Sequence, residues 1–174
     1  MADLEQVKNN PETQLWEHLK DAKFVMLGSP EPNEHMQPMA PQIDDEDGAI
    51  WFYANTSSDI VKAVNARPGD VHMCVTENDY QACLRGSIQE EKNDAKIEKY
   101  WSSVVAAWFE GGRSDPDLTM LKFQPKDAAI WASSKNPVTF AWEIAKANMK
   151  DRTPDVGDRA SVDFREGQAW QINN

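Results

Sequence analysis

The chain has 174 residues, 40% of them hydrophobic and 27% charged, which suits one domain with a sizeable core. A formal net charge of −11 argues against nucleic acid as a partner, because phosphate backbones need a basic face. Met1-Ala2-Asp3-Leu4-Glu5 has neither a basic nor an apolar leader region, and the apolar stretch Val104 to Phe109 is too short to cross a bilayer. No signal peptide, no membrane partner and a cytoplasmic location are therefore expected.

In chain order, Asn10-Pro11-Glu12 predicts a helix start, with Asn10 as N-cap and Pro11 at the first position. The helix runs to about Ala22, with Leu15, Leu19 and Ala22 on one face. Lys23 to Gly28 predicts a short apolar strand, ended by the turn-rich Ser29-Pro30-Glu31-Pro32-Asn33. Met36 to Asp44 reads as a second strand, Asp45-Glu46-Asp47-Gly48 as a hairpin turn, and Ala49 to Asn55 as a third, aromatic strand. Thr56, Ser57 and Ser58 offer N-cap hydroxyls for a helix through Ala66, with Ile60, Val61 and Val64 inward, and Arg67-Pro68-Gly69-Asp70 stops it.

Val71 to Glu77 and Tyr80 to Glu91 read as two strands around the turn Asn78-Asp79. They carry the only cysteines, Cys74 and Cys83, expected as buried reduced thiols. Asp94 to Ala107 keeps a helical apolar spacing through Ile97, Tyr100, Trp101, Val104 and Val105. An aromatic loop, Trp108 to Leu118, follows, and then strands Leu118 to Gln124 and Ala128 to Ala132 and a helix after Asn136-Pro137. Residues 1–150 are expected to form the main domain, and 151–174 a polar C-terminal arm or tail. With about seven strands in hairpin-like pairs, the expected class is mainly β (α+β), an antiparallel barrel with peripheral helices.

Familiar catalytic signatures are missing. The chain has no G-x-G-x-x-G, no G-x-x-x-x-G-K-[ST] and no G-x-S-x-G. His18, His35 and His72 lack metal-ligand spacing, so no metal site is expected and no catalytic side chain is assigned.

Three constellations remain. Trp51-Phe52-Tyr53-Ala54 leads into Ser57, Ser58 and Lys62 at a helix N-terminus, where exposed N–H groups favour a phosphate. The same residues also read as simple helix capping with Lys62 in solvent. Gln37-Pro38-Met39, with Met36 before it, offers polarizable thioethers that suit either a flat aromatic ligand or an irregular core. Trp101, Trp108 and Phe109 either pack a helix on the barrel or cover a partner or planar ligand.

In this order and spacing the three pieces resemble the general-stress-protein branch of the pyridoxamine 5′-phosphate oxidase-like flavoproteins. The matching residues are Gln37-Pro38-Met39, Trp51-Phe52-Tyr53-Ala54, Ser57-Ser58, Gly86, Trp101, Ala107-Trp108-Phe109, Gly112, Asp115-Pro116 and Ile130-Trp131. The resemblance implies a split β-barrel homodimer with FMN in grooves between the subunits. Gln37, Pro38, Met39, Phe52, Tyr53, Ala54 and Gln81 would lie near the flavin, Ser57, Ser58 and Lys62 near its phosphate. Trp108 and Phe109 would come from the partner subunit.

The chain departs from the family pattern in having Gln37 for Arg, Ala54 for Thr and Asp59 for a basic residue, and in ending without Arg-Leu-x-Pro. The implied function is therefore an FMN-dependent oxidoreductase of unknown small-molecule substrate or electron donor, not a true pyridoxamine phosphate oxidase. The alternative is a non-enzymatic dimeric stress protein that holds flavin or another ligand, with an eroded phosphate site.

Overall fold

The structure is a computed structural model that describes residues 3–31, 34–44, 46–133, 146, 157–164 and 168–170. Its elements begin with α1 (Leu4–Asn9), α2 (Pro11–Asp21), β1 (Val25–Leu27), β2 (Gln37–Met39), β3 (Gln42–Asp44), β4 (Ala49–Asn55) and α3 (Asp59–Ala66). They continue with β5 (Gly69–Thr76), β6 (Tyr80–Glu90), α4 (Asp94–Tyr100), α5 (Ser103–Ala106), β7 (Leu118–Ser133), β8 (Gly157–Asp163) and β9 (Gln168–Trp170). The strands join in one antiparallel sheet in the order β2-β1-β5-β6-β7-β4-β3, with β8 and β9 continuing from β7.

Two faces of β4 build two cores. Ile50, Phe52 and Ala54 point into the principal core with Leu84, Leu121 and Phe123, while Ala49 and Trp51 face a smaller cluster of Ile97, Phe109, Leu118 and Met120. This period of two explains why a strand buried on both faces reads as a continuous apolar run. α3 presents Ile60, Val61 and Val64 to the principal core, as their helical spacing predicts.

β7 is one strand, where the sequence suggested two. It pairs with β6 along its length, and on its other edge with β4 over Leu118 to Phe123 and with β8 over Asp127 to Ser133. The register against β6 slips between Arg85 and Gly86, leaving Lys126 as an extra residue on β7. The bulge lets the inward phase change from Leu121 and Phe123 to Ala128, Ile130 and Ala132. Pro125 falls where β7 has left β4 and has not yet met β8, a position that tolerates a missing amide hydrogen. Gly86 lies opposite, and a Cβ there would stand 2.3 Å from the Gln124 carbonyl oxygen.

Two further expectations are corrected. Met36 to Asp44 is two strands: β2 pairs with β1 at one end of the sheet and β3 with β4 at the other. Pro41 has no N–H and forces Ala40 toward extended backbone, so the ladder stops between them. Asp94 to Ala107 is two short helices, because Trp101 leaves helical geometry at ψ 129° and the Ser102 hydroxyl accepts from Val105 N at 3.3 Å to start the second. α1 was not foreseen; the Asp3 carboxylate caps it by accepting from Glu5 N at 3.0 Å and Gln6 N at 3.2 Å. Within the expected polar arm, residues 157–163 form β8 of the same sheet. The helix expected after Asn136-Pro137 lies outside the described residues.

Candidate functional site

The broken helix positions the site. After Trp101 the chain turns back and carries α5 across the end of β4. A cavity of about 550 Å³ opens between them, with Pro38 and Met39 of β2, Ala40 just after it, Gln42 of β3, Tyr53, Ala54 and Asn55 of β4, and Val104, Val105, Trp108 and Phe109. Phe24, just before β1, completes the wall. Among the described residues none that lines it is Lys or Arg.

Its rim is unusually apolar. Trp108 is 80% exposed, Val104 71% and Phe24 62%, all bordering one opening. Scattered exposed apolar residues need no explanation, whereas three around a cavity mark a surface that something else covers.

The floor is rigid. Tyr53 donates its hydroxyl to the Ile97 carbonyl at 2.7 Å, and its ring meets Trp101 edge-on at 6.1 Å. Burial pushes the Tyr53 hydroxyl up to about 12, so it stays a donor. At the strand exit the Asn55 carboxamide accepts from Ser57 N at 2.8 Å and from the Ser57 hydroxyl at 2.6 Å. Ser58 takes the N-cap position of α3, but its hydroxyl is buried and makes no hydrogen bond. Lys62 reaches Asp59, with Nζ 3.7 Å from the carboxylate.

A buried charge cluster fixes the far end of this segment. The Asp44 side chain is inaccessible to solvent; it accepts from the Lys96 ammonium, from the Tyr100 hydroxyl at 2.9 Å and from Glu46 N at 2.9 Å, with Lys99 Nζ 3.5 Å away. Burial alone would raise its affinity for a proton. The hydrogen bonds from Lys96, the Glu46 amide and Tyr100 outweigh that and hold the carboxyl well below the ordinary range. The same contact with Asp44 raises Lys96, so both stay charged.

Six of the sequence-predicted residues meet in the cavity: Pro38, Met39, Tyr53, Ala54, Trp108 and Phe109. Gln37 is half-buried on β2 without lining it, and Phe52 is fully buried in the principal core on the other face of β4. Ser57, Ser58 and Lys62 stand past the strand exit. Gln81 is on the outer face of β6 and donates its amide to the Glu77 carbonyl at 2.5 Å. One expectation changes outright: Phe109 needs no partner for its burial. It is 7% exposed, packed in the smaller core by its own chain, because the break at Trp101-Ser102 folds the loop back over β4. Phe24, Ala40, Gln42, Asn55, Val104 and Val105 were missed. Phe24 was legible as the one aromatic of its apolar run, but Val104 looked inward by helical spacing that the break then cancelled.

Among the described residues no group of three or more His, Cys, Asp or Glu side chains is placed to hold a metal ion, and no helix is long and apolar enough to cross a membrane.

A curled, mostly antiparallel sheet with helices at its edges and an apolar cavity beside one strand end is a split-barrel fold. Residues 10–155 match the family described as pyridoxamine 5′-phosphate oxidase like, and the chain belongs to that family. It is 36% identical to a protein of known structure described as general stress protein 26 from Jannaschia sp. CCS1, covering 89% of this chain and 99% of that one with a TM-score of 0.73. A general stress FMN/FAD binding protein from Xanthomonas citri is 30% identical over 71% of this chain and 89% of its own, with a TM-score of 0.65. A protein related to general stress protein 26 from Clostridium acetobutylicum shares the fold at 19% identity, covering 96% of this chain and all of that one with a TM-score of 0.62. No curated protein sequence matches the chain.

Proposed function

We propose that this protein is a homodimeric, cytoplasmic flavoprotein that binds FMN in the cavity beside β4 and uses it as an oxidoreductase. The single observation that carries the reading is the opening rimmed by Trp108, Val104 and Phe24, an apolar frame with room for a flat ring system. The Xanthomonas citri protein is described as binding FMN or FAD, which adds support. Covering the indole of Trp108 with a ring and with a second copy of the chain removes a large apolar area from water.

The residues present fit such a group. Pro38 and Met39 offer an apolar surface, Tyr53 and Trp108 offer aromatic ones, and the buried, unpartnered Ser58 hydroxyl stands at the positive end of α3 where a phosphate is favoured. When bound, FMN supplies hydride and electron transfer, so the chain needs no nucleophile of its own. Its residues hold the ring, exclude water and keep Tyr53 protonated. Gln37 and Asp59 replace basic residues that the family pattern sets near the FMN phosphate, a departure from the true oxidases that goes with a different small-molecule substrate.

A second reading has its own observation. Because no cationic side chain among the described residues lines the cavity and Lys62 is engaged by Asp59, the site also suits a protein that holds flavin without turnover.

Titrating the purified chain with FMN tests the first reading. A bound-flavin absorbance spectrum, saturating at one flavin per chain on a species twice the monomer mass, is the expected result. A colourless monomer that leaves FMN fluorescence unchanged would sink it. Photoreduction of the bound flavin followed by reoxidation with candidate acceptors separates the oxidoreductase from the carrier.

A further inference from the structure

Cys74 and Cys83 are the only cysteines of the chain, and both are free. The β5–β6 ladder sets them directly opposite each other. The hairpin also fixes which kind of opposition this is. Glu77 N donates to the Tyr80 carbonyl at 2.8 Å across the two-residue turn, so Glu77 and Tyr80 are a hydrogen-bonded pair. Pair types alternate along an antiparallel ladder. Thr76 and Gln81 are therefore a non-hydrogen-bonded pair, Val75 and Ala82 a hydrogen-bonded one, and Cys74 and Cys83 a non-hydrogen-bonded one.

Non-hydrogen-bonded pairs bring their side chains closer, with Cα atoms about 4.5 Å apart. That separation lies within the range of about 4.4–6.8 Å that disulfides span. Both thiols project from the face opposite the principal core, since β5 buries Val71, Met73 and Val75 and β6 buries Ala82 and Leu84. Burial first, and then the neighbouring Cys74 thiol, push the Cys83 thiol above its ordinary value. An open groove of about 400 Å³ lined by His72, Cys83, Arg85, Asp127 and Trp131, among others, gives small solutes access.

We propose that Cys74 and Cys83 are a reversible dithiol–disulfide pair, closed by a small-molecule disulfide such as oxidised glutathione. In the first step one cysteine loses its proton to solvent and its sulfur attacks the glutathione disulfide. A mixed disulfide forms and one glutathione leaves as the thiolate. The second cysteine then gives up its proton and attacks the protein sulfur of that mixed disulfide, so the second glutathione leaves. Two protein thiols are oxidised by two electrons and one glutathione disulfide is reduced to two thiols. The product staples β5 to β6 and leaves the cavity beside β4 untouched, so it does not depend on the flavin reading.

The test equilibrates the full chain in glutathione buffers of rising oxidised fraction, quenches with acid and reads the intact mass and free thiols. The expected product has lost two hydrogens and both thiols, carries no glutathione, stays a single chain on a non-reducing gel, and reverts with dithiothreitol. Cys74→Ser and Cys83→Ser should each instead accumulate one stable glutathione adduct, because no second sulfur displaces it. A natively folded wild-type chain that keeps both thiols at every ratio, or that collects glutathione adducts as the variants do, overturns the proposal. The wild-type measurement decides the matter even where a serine variant fails to fold.

Discussion

Along α4 an ammonium and a phenol close on a buried carboxylate of β3, whereas beyond the end of α5 an indole stands four-fifths exposed. Both belong to one segment, and both flank β4. The first spends polar groups on fixing where the segment sits: Asp44 ties β3 to α4 through Lys96 and Tyr100. The second leaves apolar area open, which a stable fold does not need. Adjacent residues can thus serve opposite ends, as Trp108 and Phe109 do: one faces out over the cavity and the other fills the core beneath it.

The largest expected effect is at the anchor. Asp44→Asn removes the buried partner of Lys96 in a nearly closed site, leaving it only the more distant Asp47 carboxylate at 3.9 Å, and should lower stability by about 4 kcal/mol, read from urea unfolding with an unchanged m-value. Phe109→Ala comes next, at about 3 kcal/mol by the same measurement, because it opens a cavity in the smaller core. Trp108→Ala should shift stability by less than about 0.5 kcal/mol. It should nevertheless weaken FMN binding roughly tenfold, as loss of an aromatic anchor does. If Trp108→Ala unfolds the chain as Phe109→Ala does, the contrast between the neighbours is gone.

The same anchor also shapes the acid limb. Asp44 has its folded value depressed, so its contribution to stability is fully present above the ordinary carboxylate value of about 3.9. It is lost progressively as pH falls below that value towards the depressed one. Unfolding followed between neutral pH and strong acid should show this loss in the wild type and a flatter curve in Asp44→Asn.

Much of this contrast was out of reach from sequence. β4 was legible to its last residue because Ala49 to Asn55 is a dense aromatic and aliphatic run between turn signals, and the inward face of α3 followed from Ile60, Val61 and Val64. Pro38, Met39, Tyr53 and Trp108 were likewise singled out as site residues before their common cavity was known. What failed were breaks. Trp101 and Ser102 fit a helix by spacing, and only the Ser102 cap reveals a restart. Pro41 signals a stop, but nothing local says that the strands on its two sides join opposite ends of the sheet. The opposition of Cys74 and Cys83 was readable from the two-residue turn, yet each cysteine taken singly looks like an ordinary small core residue.

Lys126 appears dispensable, a half-buried residue whose ammonium meets Asp70 at 2.6 Å. It is the surplus residue of the β7 bulge, set against the step from Arg85 to Gly86. The side chains β7 gives to the principal core are odd-numbered before it, Leu121 and Phe123, and even-numbered after it, so deleting this single residue would leave Ala128, Ile130 and Ala132 facing inward in an unbroken alternation. What such a deletion would remove is the local bend that the bulge gives the strand. β7 is therefore tolerant of a one-residue loss at this place, whereas a loss elsewhere along it would turn the side chains between that point and the bulge to the other face.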